Sequence, residues 1–443
     1  MSNIPVSVED LPFNSFHKRL NRSAAGGFLV DGYVISIIGI VLMYITDALK
    51  LTVFWEGMIA ASSLIGTFVG GFIGGWLSDK IGRKKLFLLT PILFALTSFG
   101  NLFVDSALML FLLRLGMGII IGIEYPVSSA MLVEYIPRKE RGSKLAALTT
   151  VWFIGATLAY MIGAIILKIS GPEAWRVILA SGAVFAIILF FMRLGTPESA
   201  RWLLGKGRDS EANRVIKNVY GDQFSLANLP EEQTDGEKIS FKKFILSGYG
   251  KRMFFVLVFW TCAVIPVFAV YAFAPKILTM LKLSGDLSLL GSILITLFFL
   301  IGCVFATNMI NSLGRRKTLI NSFLFSSIAL LGLGIFHDSS GIIILFLFII
   351  FALAIGGSQI LSMVYPNEIF PTEVRTTACG FASSLSRVGA VIGTYLVPVS
   401  LSSLGVAQTM YVAAAVTIFG LVFSWWLAPE TKSMSLAEAS SLK

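Results

Sequence analysis

The sequence predicts an all-α membrane protein, with twelve transmembrane helices in two pseudo-symmetric six-helix halves. Three observations carry that prediction. The 443 residues are 56% hydrophobic and 14% charged, with a mean hydropathy of +0.83, against about 25% charged in soluble domains. Twelve apolar stretches approach the roughly 20 residues needed to cross a hydrocarbon core about 30 Å thick. Three motifs of the first half return in the second at a nearly constant offset.

The spans fall near 25–46, 53–77, 86–104, 107–133, 144–167 and 175–195, then 253–281, 288–310, 318–336, 342–364, 377–398 and 405–427. Between the sixth and seventh runs a polar stretch containing "EEQTDGEK". The chain therefore divides into a tail (1–24), a first half (25–195), a linker (196–251), a second half (252–428) and a tail (429–443). Thirty-six Phe and 41 Gly suit helices that face lipid outside and pack closely inside.

Orientation follows from the basic residues, which stay cytoplasmic. With the N-terminus inside, 28 Lys and Arg are cytoplasmic and five are external (Lys50, Lys168, Arg176, Lys276, Lys282); Arg114 and Arg387 lie in the membrane. Both termini are thus expected in the cytoplasm.

Several function classes are excluded. The net charge of +10 is spread in short runs between apolar segments, which suits an anionic inner leaflet and not nucleic acid. Cys262, Cys303 and Cys379 are far apart and lack metal-ligand or disulfide spacing. No cleavable signal peptide is expected in the first 25 residues. His17 and His337 fall outside the core, and no catalytic dyad, metal cluster or phosphate-cradling glycine loop is visible. No enzyme activity, metal or cofactor is expected.

The repeat separates scaffold from site. "SDKIGRKKL" and "INSLGRRKTL" place Gly82 and Gly314 232 residues apart; "EYIPRKERG" and "EIFPTEVRT" place Glu134 and Glu368 234 apart; "TPES" and "APET" are again 232 apart. The duplicated charges sit at corresponding cytoplasmic helix ends. Asp79, Gly82, Arg83, Glu134, Arg141, Glu198 and Arg201 in the first half, with Gly314, Arg315, Arg316, Glu368, Arg375 and Glu430 in the second, form either a cytoplasmic gate that breaks when the bundle rocks or static interfacial anchors.

The charges inside the membrane are not duplicated. Asp31 corresponds to Ala263, Arg114 to Phe346, Glu124 to Ser358 and Arg387 to Ile154. Asp31 lies nine residues beyond Arg22, and Arg114 nine beyond Asp105, each about 13 Å along a helix from opposite faces. They arrive at one depth, where an acid and a base can neutralise each other. A charge there costs on the order of 2.5–3.5 kcal/mol, so each is a candidate for chemistry.

With "GGWLSDKIGRKK", "RLGMGIIIG", "EYIPRKERG", "TPESARWLLGKGR", "LGRRK", "YPNEIFPTEVR" and "PETK" in order over nearly the whole chain, the sequence resembles the major facilitator superfamily, specifically its sugar-porter-like metabolite transporters. "DGY", "GIEYP" and "SRVG" resemble the organic-acid and synaptic-vesicle-protein-like branch more than hexose porters. The paired glutamines of hexose porters are missing from the seventh span, and Asn311 stands where the first half has Asp79, which implies a weaker second gate.

The resemblance implies a secondary active transporter in the plasma (inner) membrane, working by alternating access on a small-molecule substrate, as a functional monomer driven by protons. The favoured form is proton symport of an organic or aromatic acid; the alternatives are a sugar-type uniporter, an antiporter or drug exporter, and more remotely a transporter-like receptor. Asp31 would exchange the proton, Arg114 would tune it and Glu124 would relay it, unless Asp31 and Arg114 form a permanent salt bridge. Arg387 would bind a substrate carboxylate or pair with Glu124. Tyr33, Tyr125, Trp152, Trp260, Tyr271, Gln359, Ser383 and Ser384 could line the cavity, and Gly116, Gly118 and Gly122 would permit close helix approach.

Overall fold

Helix α1 (Ser15–Leu49) starts before the apolar run because Asn14 caps it: the Asn14 side chain accepts from His17 N, and the His17 ring accepts from Asn14 N in return. The apolar residues that follow bury α1 on nearly every face, which makes it the centre of its half. The computed structural model describes residues 7–229, 249–283, 285–370, 372–432 and 434, without the side chains of 138, 139, 141, 142, 146 and 372–377. The "EEQTDGEK" stretch lies outside the described residues.

Twelve spans are long and apolar enough to cross a membrane, as the sequence predicts. The first half continues with α2 (Val53–Ile81), α3 (Arg83–Gly100), α4 (Ala107–Tyr135) and α5 (Arg138–Ser170). Its sixth span is interrupted: α6 (Trp175–Ala180) and α7 (Gly182–Arg193) meet at Ser181. The Ser181 hydroxyl donates to Ile178 O at 2.6 Å and shares a 2.5 Å hydrogen bond with the Tyr33 hydroxyl. Two linker helices follow, α8 (Ala200–Gly205) and α9 (Asp209–Tyr220). The second half comprises α10 (Gly250–Met280), α11 (Asp286–Leu313), α12 (Arg315–Ile335), α13 (Gly341–Ile369), α14 (Thr372–Ser403) and α15 (Val406–Leu427).

The repeat is visible in the packing. Helices α1 with α5 and α2 with α4 pair in the first half as α10 with α14 and α11 with α13 do in the second. Small residues set these distances: a Cβ on Gly118 would overlap the Ser63 carbonyl of α2, and one on Gly122 would crowd the backbone at Gly70 and Gly71. Gly116 differs from expectation, because it points away from this seam and meets only the Thr97 side chain at ordinary distance. The halves touch along α2 with α14, α5 with α11, and α1 with α10. Below the first half, Val8, Ala200 and Ile216 form a small separate core that ties the chain start to the linker helices.

Candidate functional site

Asp31 lies on the central helix α1 and has no exposed surface. Neither carboxylate oxygen has a hydrogen-bond partner. Gly32 beside it brings α1 against the Trp152 carbonyl of α5, and Gly155 of α5 approaches Leu29 O in return, so the backbones close around the acid and admit little solvent.

A permanent salt bridge between Asp31 and Arg114 is not what the structure contains. Arg114 is buried, and its guanidinium donates to two carbonyls, Ile59 O on α2 and Ile35 O on α1, both at 3.4 Å. The charged residues near Asp31 include Glu124, Arg193 and Arg387. Equal depth did not bring the two side chains together: Asp31 leans back toward the N-terminus of α1, as helical side chains do, whereas Arg114 is engaged one turn further on, at Ile35.

Glu124 is also placed differently. It is neither paired with Arg387 nor left free to relay a proton. It forms a fully buried ion pair with Arg193 of α7, reinforced by Thr90 of α3 at 2.5 Å and by Ser128 one turn along α4. Arg193 has no exposed surface and lies 3.7 Å over the Phe87 ring.

Arg387 comes from α14, in the other half. Its guanidinium lies 5.3 Å over the Phe268 ring of α10 and is in no ion pair among the described residues. Phe268 is edge-on to Trp152 of α5 (6.0 Å), and Trp152 is edge-on to Tyr271 (5.7 Å). Trp152 Nε1 is buried with no acceptor in hydrogen-bonding geometry. Tyr125 packs on Phe28 (5.0 Å) and lies within electrostatic reach of both Asp31 and Arg387. One acid from the first half and one base from the second thus flank an aromatic wall shared between halves.

The other expected lining residues divide. Ser383 and Ser384 are partly exposed on α14, and Ser384 faces Gly71 of α2 across the halves. Gln359 is buried and donates to Ala263 O at 2.9 Å. Tyr271 is buried, with its hydroxyl unpartnered and its ring stacked on Phe299. Trp260 is part of the hydrophobic core. Tyr33 turns away to Ser181 and Phe185 and belongs to the packing of the sixth span.

The duplicated motifs build two matching clamps. In the first, Glu198 accepts from the backbone N–H of Arg83 and Lys84, both at 3.0 Å, and so caps α3. In the second, Glu430 does the same for Arg315 (2.9 Å) and Arg316 (3.2 Å) at the start of α12. Gly82 (φ 104°) and Gly314 (φ 93°) make the preceding turn in the left-handed region, and a Cβ on either would collide with the capping glutamate. Arg83 pairs with Asp79 (3.2 Å) and Glu134 (3.3 Å), and Arg315 with Glu368 (2.8 Å). Asn311 cannot supply the ion pair that Asp79 gives the first clamp, while Arg315 grips Glu368 through three hydrogen bonds and Thr431 adds a fourth at 2.5 Å, as Ser199 bonds Glu134 in the first. Arg201 pairs with Glu9 of the chain start (2.7 Å), and Arg316 donates to Trp425 O (2.8 Å). Each of these pairs stays within its own half; the side chains of Arg141 and Arg375 lie outside those described.

Three polar contacts cross between halves among the described residues, none of them singled out by sequence. Lys276 Nζ of α10 reaches both Glu56 oxygens of α2 at 2.6 and 2.7 Å. Tyr160 donates to Tyr271 O at 2.6 Å, and Thr157 to Thr296 O at 3.2 Å. The ion pair lies at the end of the bundle remote from the linker.

A membrane bundle of two repeated halves, meeting around buried charges that neither half duplicates, has the architecture of a secondary transporter. The sequence matches the family model "Sugar (and other) transporter" over residues 20–442, and the chain belongs to that family, within the major facilitator superfamily. It is 36% identical over 437 residues to the putative metabolite transport protein YaaU of Escherichia coli strain K12, covering 98% of this chain and 97% of the relative. It is 28% identical over 462 residues to the arabinose-proton symporter of Bacillus subtilis strain 168, covering 100% and 99%. The fold matches the partially occluded inward-open structure of the E. coli xylose transporter XylE with a TM-score of 0.81 at 20% identity, covering 95% of this chain and 100% of that one. The protein is therefore a multi-pass membrane transporter and not an enzyme.

Proposed function

We propose that the protein is a proton-coupled symporter of a small organic acid, working by alternating access between its two halves. The observation that carries this reading is the pairing of unmet needs at the centre. Enclosing a carboxylate without a partner costs several kcal/mol, and uptake of a proton by Asp31 removes that cost. Arg387 faces the same region with no counter-ion among the described residues, and a guanidinium grips a carboxylate through two parallel hydrogen bonds. Asp31 then holds the proton, Arg387 holds the substrate carboxylate, and Trp152, Phe268 and Tyr125 supply the wall. The clamps at Glu198 and Glu430 keep each half rigid while the halves rock. The distribution of basic residues supports both termini being cytoplasmic, and the similarity to an inner membrane metabolite transport protein of E. coli supports an inner-membrane location.

A second reading, proton-coupled sugar transport, is favoured by the similarity to the arabinose-proton symporter. A ligand-dependent thermal-shift screen of aromatic acids, nicotinate-like acids, sugars and phosphate selects the solute. Uptake of that solute into proteoliposomes, with and without an inward proton gradient, then tests the mechanism. Asp31→Asn should lose gradient-driven accumulation while keeping solute exchange; accumulation equal to the native protein would refute the role given to Asp31.

A further inference from the structure

Arg193 holds the centre of a closed hydrogen-bond system. Its Nη1 donates to Glu124 Oε2 (2.9 Å), Thr90 Oγ1 (3.1 Å) and Phe87 O (2.8 Å). Its Nη2 donates to Glu124 Oε1 and to Ser128 Oγ (3.3 Å), and both Nη2 and Nε reach Ser23 O at 3.4 Å. Thr90 and Ser128 each accept an Arg193 N–H and donate their own O–H to a Glu124 oxygen. Every position around the carboxylate is thus occupied by a donor whose orientation Arg193 fixes. A proton added to Glu124 would have to displace one of them, and a guanidinium has no lone pair with which to accept it.

The same pair fixes α1. Ser23 O is bonded to Arg193, and one turn on, Gly27 lies so close that a Cβ would overlap Glu124 Oε1 and crowd Arg193 Nη2. The next turn brings Asp31 onto the same face of α1, with its side chain leaning toward the pair and its oxygens unpartnered. Four helices, α1, α3, α4 and α7, therefore converge on one arginine directly below the acid.

We infer that Arg193 is a positioning residue for proton exchange: it saturates Glu124, which takes no part in proton traffic, and clamps α1 so that Asp31 is presented as the buried carboxyl free to load and release a proton. This rests on the reading of Asp31 given above.

The test needs no identified substrate. Infrared difference spectra of the reconstituted full-length protein, recorded across a pH jump, read the carboxylic-acid C=O stretch of buried groups. The native protein should show one such band, absent from Asp31→Asn and retained in Glu124→Gln. Arg193→Gln should add a second band, from the released Glu124, and Glu124→Gln with Arg193→Gln together should return to one. This double variant removes both members of the Glu124–Arg193 pair, so neither is left buried without the other, and guards against loss of fold; Arg193→Lys, which keeps the charge without the planar fork, should show a partial second band. A merely structural arginine would add no titrating carboxyl. Loss of the native band in Glu124→Gln would overturn the role of Arg193. Survival of that band in Asp31→Asn, with Glu124→Gln also unchanged, would instead overturn the assignment of Asp31.

Discussion

The Glu56–Lys276 pair makes a quantitative prediction about the rocking motion. Both Glu56 oxygens receive Lys276, and the side chains keep 4% and 28% of their exposure respectively. Hydrogen bonds to charged groups contribute about 1.5–3 kcal/mol. Solvent competes at the Lys276 end, which argues for the lower figure, and about 1.5 kcal/mol corresponds to roughly a tenfold change in an equilibrium. Opening the bundle at this end must break the pair, so Glu56→Gln should shift the balance toward the separated arrangement about tenfold. Spin labels at the exposed positions Lys50→Cys and Leu404→Cys, on a background with Cys262, Cys303 and Cys379 replaced by Ala, report the separation of the halves by pulsed electron–electron resonance. Lys276→Gln should match Glu56→Gln, and the double variant should match either single one, because one interaction is lost only once. An unchanged distance distribution in both single variants, or additive shifts in the double, would refute the reasoning.

Other consequences are simpler to measure. Arg387→Lys should weaken binding of an anionic solute about tenfold more than binding of a neutral one, as isothermal titration would show; equal losses would remove the carboxylate from the site. Gly82→Ala and Gly314→Ala should each lower thermal stability by about 1–3 kcal/mol, from left-handed backbone strain and the collision with Glu198 or Glu430, while Gly75→Ala, where a Cβ meets open space, should not. Tyr160→Phe should lower stability by about 1–1.5 kcal/mol, since Tyr271 O loses the hydroxyl that bridges the halves.

Much of the architecture was legible because membrane spans obey a length rule and the repeat obeys arithmetic. The rule marks the apolar portion of a helix and not its ends, so α1 was expected from 25 and begins at Ser15. The break at Ser181 falls on the Ser181-Gly182 pair inside the sixth apolar run, a local signal that the length rule passes over. Depth along a helix is also legible, whereas direction around it is not. Spacing puts Asp31 and Arg114 at one level, but each residue turns the side chain by about 100°, and Arg114 donates to backbone carbonyls. Arg193 was missed because it ends an apolar run just before "LGTPES", where a basic residue ordinarily reaches water. One signal pointed to it: a buried Glu124 requires a cation, and Arg193 closes the span that packs nearby. The Glu56–Lys276 pair escaped notice because both residues lie near helix ends, where charges are common.

One acid and one base face the central region from opposite halves, and this equality has an electrical corollary. A monoanion moving with one proton carries no net charge, so uptake would follow the pH difference and ignore membrane voltage. A neutral sugar moving with one proton would carry current. Clamping voltage with potassium and valinomycin while holding pH constant therefore distinguishes the two solute classes by whether flux responds at all.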